Sequence, residues 1–208
     1  MKESSWAAAM QACEIEADSL RQTARVQSRE AFACAVGLLA HAPRIAASGC
    51  GHSGIACRHL AHLMCCVERP ARFLSPAEAV HGGMGFLQSG DVMVLVSRGG
   101  KTDELLPIAD ICRSKGVKVI GVTENAASPL AEKSDVVLAL SVTRECDRYN
   151  CQGTASFAAT CAVFDALQTA VIEETGFQNQ AFAVIHPGGA VGKRLREARQ
   201  GAEHPRPS

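Results

Sequence analysis

Short runs in which nearly every residue is apolar alternate along this chain with longer stretches where apolar positions return every three or four residues. Val92-Met93-Val94-Leu95-Val96 is the clearest of the first kind, followed by the stretches at 117–122 and 135–140. Two weaker runs, at 44–48 and 70–74, are bounded by proline or glycine. All five predict strands. Helical spacing fills the intervals: 5–40, 55–67, a short piece near 76–79, 102–114, 128–134 and 154–175. Strands without polar alternation are buried on both faces, so the pattern predicts the α/β class, a three-layer αβα sandwich around a five-stranded parallel sheet. A single domain is expected over 1–198, with a long N-terminal helix. The polar, proline-containing stretch 199–208 is expected to be disordered.

Composition removes several function classes. Lysine plus arginine and aspartate plus glutamate number 21 each, so no strong field invites nucleic acid or a membrane surface. No apolar run reaches membrane-spanning length, and Met1-Lys2-Glu3-Ser4-Ser5 lacks the apolar core of a signal peptide. The ten cysteines are scattered and form no Cys-x-x-Cys, which leaves a metal site without support and predicts mostly buried free thiols in a reducing cytoplasm.

Candidate chemistry lies where strands run into glycine turns. Ser97-Arg98-Gly99-Gly100-Lys101-Thr102-Asp103-Glu104 follows the strongest strand and leads into a helix, with Ser97 or Thr102 as candidate caps. Such a turn presents free backbone N–H groups, two hydroxyls and a lysine, a set suited to phosphate. The turn Gly49-Cys50-Gly51-His52-Ser53-Gly54 fits the dinucleotide fingerprint, but the next strand ends in Phe73-Leu74-Ser75 without the acid that binds a ribose. No cofactor is expected. The turn reads instead as a second surface facing a small ligand, reached by His52 and Ser53. In parallel sheets ligands bind outside the carboxyl ends of the strands, which is where both turns and the polar stretch 141–153 fall.

Five segments in order resemble the SIS (sugar isomerase) domain family, in particular its arabinose-5-phosphate isomerase-like branch. They are Ser48–Gly54, Pro76–Gly82, Ser97–Glu104, Glu145 ahead of Thr154-Ala155-Ser156, and His186-Pro187-Gly188-Gly189-Ala190-Val191-Gly192. The resemblance covers most of 40–195. It implies phosphate binding by Ser97, Gly99, Gly100, Thr102, Ser53 and Ser156, with His52 beside them, and an ionisable set of His81, Glu104, Glu145 and His186. Aldose–ketose interconversion needs ring opening, proton transfer between C2 and C1, and an enediolate between the two. Glu145 is the expected proton shuttle, His186 or His81 assists ring opening, and Glu104 positions a histidine or a hydroxyl. Each also has an ordinary structural reading: a favoured acid in a first helical turn for Glu104, a turn residue for His81, a loop or cap contact for His186, and a solvated ion pair for Glu145.

Four departures from the branch stand out. His52 replaces its usual lysine, and Gly99 replaces a serine, with Arg98 and Lys101 available to restore attraction for phosphate. Asn150-Cys151-Gln152-Gly153 replaces a Leu-Ala-Pro pattern, and no paired regulatory (CBS) domains are expected after residue 208. Trp6, Ala9, Met10 and Cys13 on the first helix predict packing against its own sheet or, as the resemblance favours, against another subunit in a dimer or tetramer. A non-catalytic sugar-phosphate sensor and an amino-sugar phosphate isomerase or lyase are the alternatives to an aldose–ketose isomerase.

Overall fold

The computed structural model describes residues 1–195. Its elements in chain order are α1 (Glu3–Arg25), α2 (Arg29–His41), β1 (Ile45–Gly49), α3 (Gly51–Cys66), β2 (Ala71–Phe73), α4 (Pro76–Val80), β3 (Val92–Val96), α5 (Leu106–Lys115), β4 (Lys118–Thr123), α6 (Pro129–Lys133), β5 (Val136–Ala139), α7 (Ala155–Thr175) and α8 (Asn179–Ile185). The strands form one parallel sheet in the order β2-β1-β3-β4-β5. Every residue of β1 and β3 is buried, because helices cover both faces. On one face Leu39, Leu60, Met64, Phe164 and Leu167 join α2, α3 and α7 to the sheet. On the other, Leu87, Leu105, Ile108 and Leu130 do the same around α5 and α6. The expected αβα sandwich is therefore the observed one.

Phe164, with no exposed surface, is the largest fully buried side chain. Phe164→Ala removes a ring that its close-packed surroundings cannot refill, and chemical denaturation should register a loss of about 3–5 kcal/mol.

Three local expectations are corrected. The helix expected over 5–40 is two helices, because Ser28 caps α2 by accepting from the Ala31 N–H at 3.2 Å. Gln27 turns to donate to the Ala139 carbonyl of β5 at 2.5 Å. Thr23 exchanges two hydrogen bonds with the Ser141 backbone, its hydroxyl donating at 3.2 Å and accepting at 3.0 Å. The C-terminal end of α1 thus clamps the outer edge of the sheet. Second, α5 begins at Leu106, and neither Ser97 nor Thr102 caps it. Third, only Cys57 and Cys112 of the ten free thiols are buried, while Cys13, Cys34, Cys65 and Cys151 are exposed. Burial pushes the Cys112 thiol up to about 12, which leaves it inert at neutral pH.

Two further points bear on sequence expectations. α7 is long and apolar enough to cross a membrane by length and composition, a run the sequence reading passed over. Seven of its residues, Phe164 and Leu167 among them, are buried within this domain. The expected disordered tail, 199–208, lies outside the described residues.

Candidate active site

Between β1 and β3 the winding reverses: α3 carries the chain from β1 to β2 on one side, α5 from β3 to β4 on the other. Divergent connections leave a crevice at the carboxyl ends of these two strands. Both glycine turns open onto it.

The first turn is built by close approach. A Cβ on Gly54 would lie 2.5 Å from the Gly49 carbonyl oxygen, and one on Gly49 would lie 2.9 Å from Ser53. Only glycines let α3 rise this tightly from β1. His52 and Ser53 then sit in the first turn of α3. His52 meets the Phe157 ring edge-on, with ring centres 6.1 Å apart, and packs beside Gly153.

The second turn is ordered by its own hydroxyls. Ser97 Oγ and Thr102 Oγ1 are 2.7 Å apart, and the Gly100 N–H donates to Ser97 Oγ at 3.1 Å. Gly100 has φ +68°, and a Cβ there would lie 2.0 Å from Ser128 Oγ. Gly99 faces open space, so the serine usual in the branch would fit. Lys101 is exposed and pairs with no carboxylate among the described residues. Ser97→Ala should leave the Thr102 hydroxyl without its partner and the Gly100 N–H with the Ser97 carbonyl alone. An equilibrium melt should show a loss of about 1–3 kcal/mol.

Glu145 and Arg98 occupy places the sequence did not foresee. Glu145 has 3% of its side chain exposed and caps α7 from outside the helix. Its Oε2 accepts from the Thr154 N–H at 2.9 Å and the Ser156 N–H at 3.1 Å. Its Oε1 accepts from Arg98 Nη1 at 2.7 Å. Burial works to raise this carboxyl, but the Ser156 and Thr154 donors and the Arg98 guanidinium outweigh it and hold it below the ordinary glutamate value. The side chain is an anion throughout the neutral range. The solvated-ion-pair reading of Glu145 gives way to a buried, long-range one.

Arg98 also donates through Nε to Glu124 Oε2 at 2.5 Å and through Nη2 to the Val142 carbonyl at 2.9 Å. Arg98, expected to strengthen attraction at the phosphate turn, shares its charge with two carboxylates instead. Glu124 was missed by the sequence reading, and Asn150 entered it only as part of a departure from the branch. Asn150, at φ +56°, accepts from the Glu145 N–H through its side-chain oxygen at 2.6 Å. Asp147 gathers three N–H groups, from Tyr149, Cys151 and Gln152, and so shapes the loop that replaces Leu-Ala-Pro. An Asn at a left-handed position beside such an Asp is a turn signal that sequence alone contains.

Two cavities share Cys50 at the crevice. One, of about 210 Å³, is walled by His52, Ser53, Arg98, Ser156 and Phe157, and Glu145 stands behind the Arg98 and Ser156 wall. The other, of about 470 Å³, takes in Glu104, Arg58 and Phe73. The structure thus brings His52, Ser53, Ser156 and Glu104 to cavity walls. Glu145, the turn residues Ser97, Gly99, Gly100 and Thr102, and both His81 and His186 line neither. His81 is exposed at the end of α4, and His186 ends α8 with its ring 4.9 Å from that of Phe182. The Nδ1 atom of His186 is buried without a hydrogen-bond partner among the described residues. A larger cavity, about 900 Å³, lies away from the crevice between α1, α2 and α7, and no histidine lines it. No group of three or more His, Cys, Asp or Glu suited to a metal ion occurs among the described residues.

Comparison with known proteins adds a family to this geometry. The SIS domain family model matches residues 38–170. The arabinose 5-phosphate isomerase KdsD of Pseudomonas aeruginosa is 37% identical over 158 residues, covering 76% of this chain and 48% of that protein. The chain thus spans about half the length of the curated relatives it matches. Among solved structures, a Listeria monocytogenes protein provisionally described as a sugar-phosphate isomerase superposes with a TM-score of 0.87 at 39% identity, covering 90% of this chain and 100% of that one. An Escherichia coli CFT073 protein, in complex with arabinose 5-phosphate, superposes with a TM-score of 0.83 at 26% identity and the same coverage of each chain.

Proposed function

The chain belongs to the SIS domain family, and from that membership we propose that it is a sugar-phosphate isomerase. The substrate pair is a phosphorylated aldose and its ketose, of the arabinose 5-phosphate and ribulose 5-phosphate kind, as in the relatives named above. The observation that carries this reading is a hydroxyl-ordered glycine turn at the carboxyl edge of the sheet, joined through Arg98 to a buried carboxylate held ionised at neutral pH.

The phosphate is received by the Ser97 and Thr102 hydroxyls and the Gly99 and Gly100 amides, with Ser53 and Ser156 across the cavity. Ring opening moves one proton from the anomeric hydroxyl to the ring oxygen and frees the aldehyde. His186 or His81 serves as the carrier. Glu145 then takes the C2 proton, the electron pair forms the C1–C2 double bond, and the carbonyl oxygen becomes the enediolate oxyanion. Returning that proton to C1, while the C2 hydroxyl proton passes to the C1 oxygen, completes the ketose. Oε1 of Glu145 accepts a single N–H and keeps one acceptor direction for this task. Glu104 orients a hydroxyl from the second cavity.

Two observations support a homo-oligomer. α1 buries only Ser19 and Thr23, leaving Trp6 and Met10 49% and 41% exposed. His81 and His186 line neither cavity, so a second subunit is the natural recipient of one of them. Ten free thiols favour a reducing cytoplasm, and the balanced charge favours neither nucleic acid nor membrane as a partner. The displaced histidines also favour the rival reading, a sugar-phosphate sensor without turnover.

The decisive experiment incubates the protein in D₂O with arabinose 5-phosphate, then with other pentose and hexose phosphates, and follows C2 by NMR. Deuterium uptake with ketose formation is expected. Tight binding without exchange across the panel would leave the sensor.

A further inference from the structure

Arg98 belongs to the phosphate turn by sequence, yet its guanidinium leaves that turn and reaches two other loops. Its own carbonyl accepts from the Thr123 hydroxyl and the Glu124 N–H, both at 2.9 Å, which fixes the backbone from which the side chain departs. Glu124, just beyond β4, takes Nε through one oxygen and the Val142 N–H through the other, both at 2.5 Å. Val142 gives its carbonyl to Nη2. Nη1 is thereby aimed at Glu145 at 2.7 Å. A planar fork whose nitrogens are all committed has little rotational freedom, and a lysine cannot reproduce the three-way attachment. One cation between two carboxylates also leaves the cluster with a net negative charge. Such a group is a poor receptor for a phosphate dianion and a good clamp for a carboxylate.

We propose that Arg98 is a positioning residue: it fixes the carboxylate of Glu145 to the loop that grips the phosphate, so that gripping the substrate and placing the proton acceptor are one event. The proposal rests on the isomerase reading given above, with Glu145 as the proton carrier. It explains why a buried glutamate is tied to a residue 47 positions away and immediately beside Ser97. The charged and titratable groups facing Glu145 are Arg98 and Glu124 from the β3 and β4 loops, and Arg144, Cys146 and Asp147 on its own loop. Glu16 of α1 approaches through Cys146, and His52 of α3 stands across the cavity.

The test compares wild type, Arg98→Met, Arg98→Lys and Glu124→Gln in steady-state kinetics with arabinose 5-phosphate, alongside inhibition by inorganic phosphate and a thermal melt. Displacing the acceptor should lower kcat of Arg98→Met on the order of 10²-fold, with KM and phosphate inhibition little changed. The acid limb of its kcat profile should move to higher pH, because Glu145 loses its nearest cation. Arg98→Lys should recover part of kcat and most of the acid limb. Glu124→Gln, which loosens the Arg98 fork but keeps the cation, should lower kcat in smaller measure with no upward shift of the acid limb, and serves if Arg98→Met does not fold. A loss confined to KM and phosphate inhibition would make Arg98 a phosphate ligand and overturn the proposal. An unmoved acid limb with a lowered melting temperature would reduce Arg98 to a structural tie and also overturn it. An active wild type with an indifferent Arg98→Met sinks this proposal alone, whereas an inert wild type sinks the isomerase reading first.

Discussion

Glu145→Gln is expected to lower C2 proton exchange on the order of 10³-fold, the contribution of a well-placed general base. The amide oxygen can still accept from the α7 amides, but the side chain no longer accepts a proton at neutral pH and carries no charge for Arg98. The same variant should lose stability by about 2 kcal/mol, since a buried ion pair becomes a neutral contact while Arg98 keeps Glu124. The pH dependence has a definite sign. Folding lowers the pKa of this carboxyl, so its contribution is fully present above the ordinary glutamate range and is lost as pH falls through the lowered value. Acidification should therefore narrow the gap in melting temperature between wild type and Glu145→Gln. A gap that widens as pH falls would contradict the ionic account of Glu145.

Gly100→Ala should cost about 3 kcal/mol or more and weaken sugar-phosphate binding. A left-handed residue with a Cβ is strained, and the added carbon would lie 2.4 Å from the buried Cβ of Ser128. Ser128 cannot simply step aside, because its hydroxyl caps α6 by accepting from the Ala131 N–H. The phosphate turn and α6 would be disturbed together. Gly99→Ala, one residue earlier and facing open space, provides the comparison and should leave the melting temperature nearly unchanged. Equal losses in the two variants would mean that backbone freedom alone, rather than the approach to Ser128, governs the turn.

The sheet was legible because its strands are apolar without alternation, a pattern that only two-sided burial rewards. The carboxyl-edge location of both turns followed from the parallel order alone. The helix break near Ser28 was hidden because alanine, glutamate and arginine continue through it. What stops α1 is an attachment to β5, which sequence spacing does not encode. The later start of α5 has a similar cause: the Thr102 hydroxyl, a credible cap by position, is taken by Ser97. At the site, Glu145 was identified by its motif and given the wrong neighbours. Its sequence neighbours suggested solvent, whereas Arg98 and the α7 amides reach it from distant parts of the chain. Arg98 was legible only as a charge beside a phosphate turn, because nothing local announces that Glu124 draws it elsewhere.

The clamp between α1 and β5 also sets an order of events during synthesis. Thr23 leaves the ribosome ahead of its partner Ser141, which follows 118 residues later. At about 5–20 residues per second the delay is roughly 6 to 24 seconds, far longer than a helix needs to form. For that interval α1 waits as a preformed helix with no edge to hold. α1 is thus secured long after it is made, and a nascent chain stalled before Ala139 would expose it to whatever binds unprotected helices in the cell.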